Sequence, residues 1–138
     1  MADSQKKKKL LIVEDDPLSM KLLVDLLEQA GYEVHRANYP LPALFSVGRV
    51  APDLILADLN MPQVDGLTLI RLLKGYVETE HIPVVVVSAS DTQEAREAAF
   101  AAGCVGYIAK PVDTRRFLDQ IQKHFKRPKI TTISEGCS

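Results

Sequence analysis

Tryptophan is absent from this chain, cysteine occurs only twice, and neither sign of charge is in excess. Cys104 and Cys137 have neither CxxC spacing nor a histidine cluster beside them, so a disulfide framework and a zinc site both lack a basis. Reduced thiols in a cytoplasmic protein are the expectation. The 17 basic and 18 acidic side chains nearly cancel, to a net charge of −1, which excludes binding of nucleic acid or an anionic membrane through bulk charge. Long apolar runs are missing too. Lys6 to Lys9 precede Leu10-Leu11-Ile12-Val13 in a way that imitates the start of a secretory signal. That run is only four residues long and meets Glu14, Asp15 and Asp16 at once. It is too short for a signal core, and nothing elsewhere approaches a membrane span. The lysines read as a solvated N-terminal tail.

What is present suits one well-filled domain, with 46% hydrophobic side chains in 138 residues. Five short apolar runs are bounded by turn or polar residues: Leu10–Val13, the weaker and alternating Glu33–Ala37, Leu54–Ala57, Val84–Val87 and Val105–Ala109. Continuous Val/Ile/Leu runs predict strands covered on both faces, as in a parallel sheet. Helical spacing fills the gaps. Leu18, Leu22, Leu23, Leu26, Leu27 and Ala30 form one apolar stripe, with Asp16 as N-cap, Pro17 at the first helical position and Gly31 as the stop. Leu67, Ile70, Leu73, Tyr76 and Val77 form a second stripe. Phe117, Leu118, Ile121 and Phe125 form the last, capped by Asp113 or Thr114. Residues 95–102 are Ala-rich and weakly amphipathic, and Pro40 and Pro42 blur the start of the second helix. Strand-helix alternation repeated in this way predicts an α/β fold, a doubly wound parallel sheet with right-handed crossovers. The domain is expected over residues 9–126, after a tail at 1–8 and before a tail or linker stub at 127–138.

Four of the five apolar runs stop at a residue with useful chemistry. Val13 is followed by Glu14-Asp15-Asp16, Ala57 by Asp58, Val87 by Ser88 and Ala109 by Lys110. In a parallel sheet these ends share the carboxyl edge, where open α/β sheets bind ligands. Clustered carboxylates repel one another unless a cation joins them. Glu14, Asp15 and Asp58 set against Lys110 leave a negative excess that one divalent ion would neutralise, and hard oxygen ligands suit Mg²⁺. Carboxylate nucleophile, metal, lysine and hydroxyl together describe phosphoryl transfer to an aspartate. Taken singly, each residue also fits a bland role: Asp16 as a cap, Lys110 in a turn before Pro111, Ser88 or Asp91 as the cap of the next helix, Tyr107 as core packing. Their convergence on one edge favours the functional reading.

At these residues the chain resembles the receiver domain of bacterial two-component response regulators, the CheY-like superfamily. The stretches that carry the likeness are LIVEDDP (11–17), PDLILADLNMPQVDG (52–66), IPVVVVSA (82–89) and AGCVGYIAKP (102–111), and it spans roughly residues 8 to 125. Among subfamilies the single-domain regulators are the most similar. The resemblance implies a flavodoxin-like (βα)5 fold with sheet order 2-1-3-4-5. It implies that Asp58 is the phosphoacceptor and that Glu14, Asp15 and Asp58, with the backbone carbonyl of Asn60, hold Mg²⁺, Glu14 through water. Ser88 is then the hydroxyl that follows the phosphoryl group, Lys110 its lysine contact, and Tyr107 the aromatic switch that turns inward on activation. The Lys110–Pro111 bond resembles the family's cis peptide. Asn60 and Ser90 lie where the family tunes the lifetime of the phosphorylated form. Ser88 stands where threonine is commoner, which keeps the hydroxyl and drops a methyl.

The implied partners are a histidine kinase or histidine phosphotransfer protein as donor, and a downstream protein or fused output domain as recipient of the signal. The implied switch face comprises the fourth helix, fifth strand and fifth helix, on a monomer or a weak phosphorylation-linked dimer. No nucleic acid or membrane contact is expected. Two other classes fit less well. An aspartate-nucleophile phosphatase of the haloacid dehalogenase pattern needs an acid where Asn60 stands. A nucleotide-binding module needs a glycine-rich first turn, which here reads Val13-Glu14-Asp15-Asp16-Pro17. A degenerate receiver used only for docking is disfavoured by the complete set of acids, hydroxyl and lysine. The reading is thus of a signalling switch, not an enzyme with turnover.

Overall fold

The computed structural model describes residues 7–61 and 65–125, with the backbone alone at Leu41. Most of the expected N-terminal tail, residues 62–64 of the second motif, the expected tail at 127–138 and Cys137 lie outside the described residues. Five strands alternate with five helices: β1 (Lys9–Val13), α1 (Pro17–Gln29), β2 (Glu33–Ala37), α2 (Pro40–Val50), β3 (Leu54–Ala57), α3 (Gly66–Lys74), β4 (Val84–Ser88), α4 (Gln93–Ala102), β5 (Gly106–Ala109) and α5 (Phe117–Gln122). The sheet runs β2-β1-β3-β4-β5 with every pair parallel, the expected order.

Strand residues alternate between the two faces, and each face has its own core. Leu11, Val13, Ile55, Ala57, Val84 and Val86 pack under α2, α3 and α4, through Ala43, Val47, Leu69, Ile70, Leu73 and Ala99. Leu10, Ile12, Leu54, Leu56, Val85, Val87 and Ile108 pack under α1 and α5, through Met20, Leu23, Val24, Leu27, Phe117 and Ile121. Because both faces are covered, strands β1, β3 and β4 are apolar almost without interruption.

The first helix starts as expected. The Asp16 carboxylate accepts from the Ser19 N–H, Pro17 opens the helix, and Gly31 follows the cap residue Ala30 at φ +98°. Its buried side differs from the expected stripe: Met20, Leu23, Val24 and Leu27 face the sheet, while Leu18 is 78% exposed and Leu22 41%. Leucines lie around more than half of this helix, so their spacing alone does not select the buried arc. The two prolines of α2 are accommodated in its first turn, where a missing N–H costs no helical bond. Tyr76 and Val77 fall beyond the end of α3 and are exposed, so the expected second stripe ends at Leu73. Thr92, rather than Ser88 or Asp91, caps α4 by accepting from the Ala95 N–H. Helix α5 has Arg116 at its N-cap and no side-chain cap bond, so neither Asp113 nor Thr114 caps it. Asp113 instead ties down the preceding turn, its carboxylate accepting from the Arg115 N–H at 3.0 Å and its carbonyl from Phe117 at 2.9 Å.

At the amino edge of the sheet, Phe125 stacks on Tyr32 with ring centroids 5.3 Å apart, and the Lys8 ammonium lies 5.7 Å from the centre of the Phe125 ring. Among the described residues no helix is long and apolar enough to cross a membrane.

Candidate functional site

Register brings the chemistry together. Val13 pairs with Ala57, Ala57 with Val86, and Ser88 with Ala109, so the residues that follow β1, β3 and β5 and the last residue of β4 share the carboxyl edge. The backbone continues that alignment past the strands: Asp58 N–H donates to Val13 at 3.1 Å, and Lys110 N–H to Ser88 at 2.9 Å. Gly66, the first residue of α3, lies flat against the same loop. A β-carbon there would overlap the Asp58 carbonyl oxygen and come within 2.8 Å of the Leu59 Cα. Only glycine lets α3 begin so close to the aspartate.

Glu14, Asp15 and Asp58 each direct a carboxylate oxygen into one cluster, all within 4.8 Å of one another. Glu14 and Asp58 are buried, and Asp15 is exposed at the mouth. Lys110 reaches across the cluster. Its Nζ donates to Glu14 Oε1 at 2.6 Å, to Asp58 Oδ2 at 3.1 Å and to Ser19 Oγ at 3.2 Å. The other Asp58 oxygen, Oδ1, accepts from the Asn60 N–H at 3.0 Å. Asp58 is therefore held at both oxygens, and its orientation is fixed.

Burial pushes the Glu14 carboxyl above the usual glutamate range, and the hydrogen bond from Lys110 only partly opposes it. For Lys110 burial pulls downward as the largest single influence, yet the hydrogen bonds to Glu14 and Asp58 together outweigh it and hold the ammonium above its ordinary value. The causes differ, burial for Glu14 and its two carboxylate partners for Lys110, but the cluster still sets three carboxylates against one cation. A further cation in the cluster would relieve that imbalance, and an all-oxygen donor set with one carboxylate open to solvent fits a Mg²⁺ ion with several waters. The residues fit the group.

On the far wall Ser88 is fully buried. Its Oγ accepts from the Ser90 N–H at 3.2 Å and from Asn60 Nδ2 at 3.4 Å, while Asn60 Nδ2 also donates to Ser90 Oγ at 2.9 Å. Tyr107 lies inward. Its ring packs on the core beneath α4 and its hydroxyl donates to the Ser90 carbonyl. Burial, as the main influence, raises its phenol above the ordinary value. The Lys110–Pro111 peptide is cis. Six of the seven expected site residues, Glu14, Asp15, Asp58, Asn60, Ser88 and Lys110, are thus brought together, and Tyr107 lies beside them against the Ser90 carbonyl.

Two participants carried no sequence signal. Ser19 reaches Lys110 across 91 positions of chain, and Arg96 lies over the Tyr107 ring; both contacts exist only through tertiary placement. A groove of about 410 Å³ opens beside Lys110, lined in part by Leu18, Leu22, Pro111 and Val112.

Known proteins show the same arrangement of chain. The family described as response regulator receiver domain matches residues 10–131. The polar-differentiation response regulator DivK of Brucella ovis is 41% identical over 117 residues, covering 85% of this chain and 95% of that protein. A solved receiver domain, that of sensor histidine kinase PA1611 from Pseudomonas aeruginosa PAO1, superimposes with a TM-score of 0.79 at 27% identity, over 86% of this chain and 98% of that one. It is described with a magnesium ion coordinated in its active site cleft. The Vibrio cholerae chemotaxis protein CheY4 has the same fold, with a TM-score of 0.83 at 24% identity over 87% of this chain and 100% of that one. With the family matched across nearly the whole described fold, the chain belongs to the response regulator receiver domains of two-component signalling.

Proposed function

We propose that Asp58 accepts a phosphoryl group from a phosphohistidine and that the chain reports this event to a partner. The observation that carries the reading is the Asp58 carboxylate itself, buried at the end of β3 and held at one oxygen by the Asn60 N–H and at the other by Lys110. In the transfer, an Asp58 oxygen forms a bond to phosphorus while the P–N bond of the donor breaks, its electron pair leaving with the imidazole. Lys110 follows the charge from carboxylate to phosphoryl oxygens without leaving the cleft. Glu14 and Asp15, with Asp58 and the Asn60 carbonyl, would hold Mg²⁺, Glu14 through water. The ion supplies neutralisation of the phosphoryl charge.

The donor, a histidine kinase or a histidine phosphotransfer protein, is proposed to seat on the groove beside Lys110, where Leu18 and Leu22 of α1 are exposed. Ser88 then donates to the acyl phosphate, and the loop between β4 and α4 follows it. Tyr107 reports that movement to the α4–β5–α5 face, which regulates a downstream protein or a fused output domain, as a monomer or a weak phosphorylation-linked dimer. We assign the protein to the cytoplasm, with which the free, buried thiol of Cys104 is compatible. Incubation with acetyl phosphate and MgCl₂, read by Phos-tag electrophoresis, should give a retarded band that is lost in Asp58→Asn. Full labelling of that variant would reject the assignment.

A further inference from the structure

One set of contacts beside the cleft is not needed for phosphoryl transfer. Near the start of α4, Arg96 places its guanidinium 4.7 Å from the centroid of the Tyr107 ring. Asp91 holds the same group, with Nη2 at 2.6 Å and Nε at 2.8 Å from its Oδ1. Tyr107 is thereby confined on three sides. The core lies beneath its ring, the Ser90 carbonyl accepts from its hydroxyl, and the cation covers its outer side. Asp91 and Ser90 belong to the loop after β4, the segment that carries Ser88 toward a phosphoryl group. The stack therefore joins that loop, α4 and β5 through the side chains of Asp91, Arg96 and Tyr107 and the Ser90 carbonyl.

We propose that Arg96, oriented by Asp91, is a positioning residue that covers Tyr107 and biases the switch toward the tyrosine-inward packing before any phosphoryl group arrives. The inference deepens the function proposed above and rests on Tyr107 reporting the state of Asp58. A planar guanidinium suits the task because it can lie over an aromatic ring while its N–H fork pairs with a carboxylate. Lysine would keep the charge and lose the fork. Both ion-pair partners are substantially exposed, at 41% and 51% of their side chains, so solvent weakens their attraction. Together with the ring contact, they should shift the ratio of inward to outward tyrosine by about three- to tenfold. That is enough to matter where two packings are closely balanced.

A purely structural role for this ion pair, stapling the start of α4, predicts lost thermal stability and an unmoved tyrosine. Nuclear magnetic resonance of the full chain with ring-¹³C tyrosine separates the two. The four tyrosines can be assigned by single Tyr→Phe substitutions, and beryllofluoride with MgCl₂ supplies the phosphorylated limit. In the unmodified protein the Tyr107 signal should already lie well toward that limit. Arg96→Ala should move it away, Arg96→Lys and Asp91→Asn should move it part of the way, and beryllofluoride should return all of them to the common end point. The milder pair of variants leaves the Thr92 cap intact and guards against a folding defect. A Tyr107 signal that is the same in the unmodified protein and all three variants would overturn the inference, even if Phos-tag gels show normal labelling of Asp58. A displaced Tyr107 signal in variants of a protein that never labels would support the cover over Tyr107 and overturn the phosphoacceptor reading instead.

Discussion

Cys104 shows what burial does to one ionisable side chain when the opposing influences, here the Gly106 backbone and the Lys74 charge, are too weak to offset it. The thiol lies beneath the turn after α4, and removal from water pushes it up from 9.0 to about 11. Thiolate is the reactive form, so the folded protein should resist alkylation there. Treatment with iodoacetamide at pH 8, followed by peptide mass spectrometry, should leave Cys104 unmodified until denaturant is added. The linkage has a definite sign. Between about pH 9 and 11 the folded state keeps a proton that the unfolded state releases, so this group lowers stability as pH rises through that window and contributes nothing below it. Glu14, Asp58 and Lys110 were legible together, because each follows an apolar run that predicts a buried strand, although singly each also fits a bland role. Ser19 and Arg96 were not. A serine in a first helical turn and an arginine on an exposed helix are ordinary, and their partners lie on other elements.

Elements differ in how plainly their sequences declare them. The central strands read directly, since Leu54–Ala57 and Val84–Val87 leave no polar position for solvent. Helix α1 was recognisable from its cap, its proline and Gly31, yet its buried arc was misassigned because leucines occupy both the sheet side and the open side. That difference is measurable. Leu23→Ala should cost about 3 kcal/mol, as expected for a fully buried leucine, whereas Leu22→Ala should cost well under 1 kcal/mol. Urea unfolding followed by circular dichroism checks both. If the exposed side of α1 receives the donor, Leu22→Ala should still slow phosphoryl transfer from the phosphohistidine protein and leave labelling by acetyl phosphate unchanged. The end of α3 was overestimated for a related reason. Tyr76 and Val77 continue the apolar spacing, but Gly75 closes the helix before they can join it.

At the scale of the whole molecule, the fold and the site depend on the same sheet. Each core is built on one face, and every acid of the cluster is attached to the end of a strand that both cores hold in register. An ion bound there should therefore stabilise the protein globally, not only locally. Saturating MgCl₂, at a hundred times its dissociation constant, should add about 2.7 kcal/mol to unfolding. A thermal melt with and without MgCl₂ should show the gain, and Asp15→Asn should remove most of it. An equal shift in that variant would mean that the ion acts elsewhere. The contacts among Lys8, Tyr32 and Phe125 have a separate consequence. They bring the two ends of the described fold to one spot, on the side of the sheet away from Asp58. A short peptide bridge could join those ends, and the chain could be opened at a surface turn elsewhere, giving a circular permutant whose cleft is untouched. Cargo joined directly at Lys8 or Phe125 would likewise emerge on the side of the sheet away from the cleft.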